Sequence, residues 1–180
     1  MKKIVIMKNL ILILLATFSL SCCDKNDDKP KTELEKLPPA TTTGAKTFGC
    51  LLDGVAFVPG NQNLAKDCAY QYVNGYYFSL QGNKYVNKEL IRLGLDTDNL
   101  KIEEGKTYVL QNKIDGNASA KYFDDYGNYN TSSTEKGEMT ITKLDLTKNI
   151  VSGTFFYDIK DSKGVLHKIT NGRFDMPFTQ

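Results

Sequence analysis

From Phe48 onward, apolar and polar residues alternate with period two, and the alternation is broken every eight to twelve residues by turn chemistry. Successive side chains point to opposite faces only in a β-strand, so this pattern excludes a helical body. "TFGCLLDGVAFVP" carries two apolar runs around Asp53-Gly54, and "CAYQYVNGYYFSLQG" repeats the device around Asn74-Gly75. Asp-Gly and Asn-Gly are the strongest two-residue hairpin signals. "ELIRLGLD", "KTYVLQN" and "ASAKYFD" read as further strands. "GEMTITKLD" and "NIVSGTFFYDI" flank a turn at Leu146–Asn149. "VLHKIT" and "RFDMPF" follow turns at Ser162-Lys163-Gly164 and Asn171-Gly172. The expectation is an all-β chain, an antiparallel β-sandwich or barrel of about ten strands built from successive hairpins.

A two-residue loop at Asp53-Gly54 pairs Leu52 with Val55, Leu51 with Ala56 and Cys50 with Phe57, which points Cys50 inward with Phe48 and Phe57. The same construction at Asn74-Gly75 pairs Tyr72 with Tyr77 and Tyr70 with Ser79. It assigns Ala69, Gln71, Val73, Tyr76, Phe78 and Leu80 to the core face. Tyr70, Tyr72 and Tyr77 then share the other face, and if that face is open they form a patch suited to a glycan or a protein partner.

The N-terminus has a different logic. "MKKIVIMKNL" is basic and acid-free, and Leu10–Leu20 is a short apolar block. A basic start, a short apolar core and a small-residue exit describe a secretory signal peptide, and the block falls short of the roughly 20 residues of a membrane span. Three of the 23 basic residues lie in this leader and all 21 acidic residues lie beyond it, so the remainder carries one net negative charge. That balance gives no electrostatic attraction for nucleic acid.

"SLSCCDKNDD" closes the leader. Ser21 before Cys22, with Leu20 and Ser19 upstream, resembles the lipobox of bacterial lipoproteins, in which the cysteine thiol takes a lipid and becomes the new N-terminus. Cys22 is the expected lipidation site. Cys23, with Leu20 three residues before it, is the alternative. The acids that follow resemble the export signal of surface lipoproteins of the Bacteroidota, which implies the outer membrane and the cell surface, with the periplasmic face as the other orientation. The membrane, reached through the anchor, is then one partner, and a glycan or an envelope protein is the other kind. Residues 1–21 are expected as signal peptide, 22–46 as a lipidated acidic tether and 47–180 as a single β-domain. The tether expectation rests on Pro30, Pro38, Pro39, a threonine run and many charges, a composition that buries too little surface to fold.

Two cysteines remain. Cys50 and Cys68 lie 18 positions apart, and in an oxidising compartment they are expected to pair as a disulfide. "TGAKTFGCLLDGVAFVPG", "GEMTITKLDLTKNIVSGTFFYDI" and "KITNGRFDM" together resemble a family of uncharacterised all-β Bacteroidota lipoproteins across the whole β-domain. The resemblance implies a lipoprotein and a fold, and no activity. In this reading Gly54, Gly75, Gly153 and Gly172 are backbone devices, and Phe155, Phe174 and Met176 face inward.

Catalytic equipment is sparse. The single histidine, His167, sits mid-strand and reads as an ordinary strand residue. No zinc spacing, phosphate-cradling glycine loop or nucleophile elbow occurs, so no cofactor and no metal are expected. Asp96–Asn99 and Asp124–Asn130 cluster oxygen ligands in turns without the spacing of a calcium loop. The expected function is a non-enzymatic binding or structural module of the envelope. A small carboxylate-dependent glycan hydrolase drawing on Asp96, Asp98, Asp124 and Asp125 is the alternative.

Overall fold

The computed structural model describes residues 29–180, so the signal peptide, Cys22 and Cys23 lie outside the described residues. Eleven strands follow one 3₁₀ turn, Leu34–Lys36: β1 Thr47–Leu52, β2 Val55–Phe57, β3 Lys66–Tyr72, β4 Tyr76–Val86, β5 Glu89–Thr97, β6 Thr107–Val109, β7 Ala118–Asp124, β8 Gly127–Asn130, β9 Gly137–Asp145, β10 Ile150–Lys160 and β11 Leu166–Pro177. They form two antiparallel sheets, ordered β2-β1-β11-β10-β9-β6 and β3-β4-β5-β7-β8. The arrangement is a sandwich, not a closed barrel.

The first hairpin has the register its sequence dictates, Leu52 with Val55, Leu51 with Ala56 and Cys50 with Phe57. Asp53 and Gly54 both take positive φ, 51° and 83°, the twist of a type I′ turn that matches the strands it joins. The second hairpin differs by one residue. Its loop is Val73-Asn74-Gly75, and Tyr72 pairs with Tyr76, Tyr70 with Phe78 and Cys68 with Leu80. A shift of one residue exchanges the faces of β3. The expected register turns Ala69 and Gln71 inward. The observed one buries Cys68 and Tyr70 beside Phe78 and Leu80, which removes far more apolar surface from water.

Three further departures have local causes. Asn87 and Lys88, both at positive φ, turn β4 into β5 without the glycine that marks most such turns. Asn171, at φ 53°, does not end a strand. It belongs to an irregularity opposite Phe155–Tyr157, so "VLHKIT" and "RFDMPF" are one strand. "DDYGNYN" is the β7–β8 hairpin, in which Asp124 Oδ1 accepts the backbone N–H groups of Tyr126 and Gly127.

Aromatic rings fill the space between the sheets. Phe48 and Phe155 lie 5.4 Å apart between centroids, and Phe174 lies 6.3 Å from Phe155 and 6.2 Å from Phe78 of the opposite sheet. Tyr157 is fully buried on β10, and its hydroxyl donates to the carbonyl of Lys121 on β7, 3.0 Å away. One polar atom thus crosses the apolar core with its hydrogen bond made, as burial requires.

Cys50 and Cys68 share this core as free thiols, which corrects the expected disulfide. Cys50 is on β1 and Cys68 on β3, strands of different sheets. Burial pushes both thiols far above the ordinary cysteine range. Neither is then a nucleophile. Native protein treated with an alkylating reagent at pH 8 should leave both unmodified by peptide mapping, and both should react in denaturant; labelling of either in the native state would contradict this placement.

Part of the stretch read as tether is held against the sandwich. Thr32–Gln180 forms one unit. Thr32 and Glu35 cap the 3₁₀ turn reciprocally, as in a capping box. Glu33 Oε2 accepts the N–H of Ala56, Leu37 is buried, and Pro38 packs over Gly49. The segment then meets Asp175. This fully buried carboxylate accepts the Thr41 hydroxyl at 2.6 Å, the Thr43, Gly44 and Ala45 N–H groups at 2.9, 2.7 and 3.1 Å, and the Ser152 hydroxyl at 2.8 Å. Gly44 takes φ +77°, which lets successive N–H groups converge on one anion.

Candidate functional site

The exposed tyrosine patch expected from sequence takes another form. Because of the β3 shift, Tyr77 faces away from Tyr70 and Tyr72, and Tyr70 is buried. Tyr76, read from sequence as core, joins the cluster instead. Its ring stacks on Tyr70 at 5.9 Å and meets Tyr72 edge-on at 5.0 Å. Tyr72 is 67% exposed, so one aromatic face remains open to solvent.

These rings line a cleft of about 530 Å³ at one end of the sandwich, with Gln71, Val73, Leu146 and Gln180. The turn after β9 supplies Leu146. The C-terminal tail supplies Gln180, because Thr179 bridges to Ala69 in parallel and accepts the N–H of Tyr70. Gln180 Nε2 donates to Asn149 Oδ1 at 2.9 Å. Val73 and Leu146 are exposed. Lys101 Nζ lies 5.8 Å from the Tyr76 centroid. Burial holds the Tyr70 hydroxyl above its ordinary range, so it stays protonated near neutrality. The residues lining the cleft include apolar rings and the Gln180 carboxamide, and none of them has a charged side chain.

The acidic turns do not make a paired-carboxylate site. Asp96 is buried and bound to Lys121 at 3.1 Å and to the Ser79 hydroxyl at 2.7 Å. Asp124, also buried, caps the β7–β8 turn. Asp96 pairs across the ladder with Ser119, five residues from Asp124, so the two lie about 17 Å apart at 3.4 Å per residue. Glycosidases hold their carboxyls within about 5–9.5 Å. Asp125 is exposed and Asp98 half-buried. His167 is on β11: Nδ1 shares a 2.8 Å hydrogen bond with Asp53 Oδ2, and its ring stacks on Tyr122 at 4.5 Å. Among the described residues no three His, Cys, Asp or Glu side chains converge as a metal site, and no helix is long and apolar enough to cross a membrane.

Comparison of the chain with protein-family models, with curated proteins and with solved structures finds no match.

Proposed function

We propose that this chain is an exported, lipid-anchored protein of the outer membrane, displayed at the cell surface, and that its β-sandwich is a non-enzymatic module that binds a neutral glycan. The basic leader, the apolar block and the Ser21-Cys22 exit support the anchor. The single observation that carries the binding reading is the Tyr70–Tyr76–Tyr72 cleft. A sugar ring has an apolar face that packs on an aromatic ring and a rim of hydroxyls that bond to carboxamides. Tyr72 offers the first, and Gln180 the second. None of the lining residues has a charged side chain, which favours a neutral ligand over an ionic one.

Two measurements test the two halves. In cells fed labelled fatty acid, the Cys22→Ala chain should lose the label and the Cys23→Ala chain should keep it; equal labelling of both variants excludes an anchor at Cys22. On a glycan array, the purified full chain should bind neutral oligosaccharides, and Tyr72→Ala should weaken that binding tenfold or more with an unchanged melting temperature, because the ring is mostly outside the core. Undiminished binding by Tyr72→Ala would remove this cleft from the proposal.

A further inference from the structure

A second cleft, lined differently, lies along the edge that β3 leaves bare. β4 pairs with β3 only as far as Gly82, opposite Lys66, while its pairing with β5 continues to Val86. The segment 58–65 folds over the gap. Asn83 donates its backbone N–H to the Ala65 carbonyl and its side-chain amide to the Leu64 carbonyl, each at 2.7 Å, and Lys66 Nζ donates to Asn61 Oδ1 at 3.0 Å. Leu64 is held at φ +65° with its side chain 75% exposed. A branched residue in left-handed backbone costs of order 1–2 kcal/mol, so the hydrogen bonds from Asn83 fix this crossing against a local preference. Between the crossing and the projecting hairpin lies a cleft of about 660 Å³, larger than the tyrosine cleft.

Its lining includes Gln62, Asn63, Asn83, Lys84, Tyr85 and Arg92, and no carboxylate. Arg92 is oriented on two sides. Nε donates to Asn83 Oδ1 at 2.9 Å, and the guanidinium lies 5.2 Å from the Phe123 centroid. No ion pair to Arg92 forms among the described residues, and its terminal nitrogens carry no partner that would neutralise them. Lys84 turns to the other face, where Nζ is anchored to the Ala56 carbonyl at 2.9 Å, so Arg92 is the cation on this side. Tyr85 is 70% exposed. One fixed cation with no counter-charge, Arg92, beside an exposed tyrosine on the same face of the β4–β5 ladder, forms an anion site. A guanidinium held by its Nε still offers a planar fork that matches a carboxylate in two hydrogen bonds. The tyrosine ring beside it and three carboxamides suit a pyranose face and its hydroxyls.

We infer that the cleft between segment 58–65 and the β4–β5 hairpin binds an acidic saccharide of the uronic acid class, with Arg92 on the sugar carboxylate and Tyr85 against the ring. This site does not depend on the tyrosine cleft, which lies at the end of β3 where Tyr72 and Val73 turn. The probe is a galacturonic acid oligomer, titrated by calorimetry into the purified full chain beside the same oligomer as its neutral methyl ester. Saturable binding of the acid, at least tenfold weaker binding of the ester, and weakening with added salt are expected. Arg92→Gln and Tyr85→Ala should each lower affinity for the acid tenfold or more, while Tyr72→Ala leaves it unchanged. Tyr85 is outside the core, so its variant decides the question if loss of Arg92 perturbs folding through Phe123. Equal affinity for acid and ester, no binding of either, full affinity in Tyr85→Ala, or an acidic peptide binding as tightly as the sugar would each overturn the assignment.

Discussion

Asp175→Ala should lower the stability of the protein by about 3 kcal/mol, enough to move the melting temperature by roughly 6–12 °C in a body of this size. The carboxylate satisfies three hydroxyls and three backbone N–H groups, and each buried group left unpaired costs of order 1–3 kcal/mol before the loop relaxes toward water. Asp175→Asn should not rescue it, because the amide brings two donors to a site already filled with donors. The same residue sets an acid limit. Burial alone drives its pKa up, but the hydrogen bonds from Thr41, Ala45, Thr43 and Ser152 outweigh that and hold it down at about 2. A group whose folded pKa is depressed contributes stability above its unfolded value, near 4, and loses it as pH falls toward 2. About two pH units correspond to about 2–3 kcal/mol, so wild type should lose that much more stability than Asp175→Asn between pH 5 and pH 2 in urea melts. Hydrogen exchange supplies the local readout: the Thr43–Ala45 amides should be protected in wild type and exchange freely in Asp175→Ala. Protection that survives the substitution would mean that the segment is held by something other than this carboxylate.

That residue also marks where the sequence stopped being legible. The antiparallel all-β class could be read because period two and paired turn residues are local signals, and Asp53-Gly54 fixed its hairpin to the residue, whereas the choice of two sheets over a barrel was not a local signal. Residues 41–45 are bound by a carboxylate more than 130 positions away, and no window around "ATTTGAK" records that, so composition alone read the stretch as tether. The Asn74-Gly75 hairpin failed by one residue. A loop of two or three residues is equally compatible with the dipeptide, and the choice was made by burying Cys68 and Tyr70 rather than Ala69 and Gln71. The tyrosine cleft inherited that error: β3 was the correct strand, but Tyr77 belonged to the other face and Tyr76 was missed. The Arg92 cleft had no local signature at all, since it exists only because β3 ends before β4 and segment 58–65 crosses the gap.

Gly153→Ala should be at least as costly as loss of Asp175, about 3 kcal/mol or more, although it adds one methyl group. Gly153 lies within β10, paired on one side with Phe174 of β11 and on the other with Ile141 of β9. A Cβ there would stand 2.3 Å from the Thr140 carbonyl oxygen and 2.6 Å from Cζ of Phe174. The first obstacle is backbone and cannot rotate away. The second is the ring that reaches Phe78 across the sandwich, so relief on that side moves the core, and overpacking of this kind costs 1–3 kcal/mol or more. Gly105→Ala supplies the contrast. Gly105 has open space around its Cβ direction and only a positive φ of 80° to penalise a side chain, which predicts about 1 kcal/mol. Chemical denaturation of the two variants should therefore rank them in that order by a factor of about three. Sequence reading grouped Gly153 with the turn glycines as a backbone device, yet its φ lies outside the positive range; what it supplies is the absence of a side chain where two strands and an aromatic ring converge. If Gly153→Ala proves milder than Gly105→Ala, β9 and β10 do not approach as closely as the core packing requires.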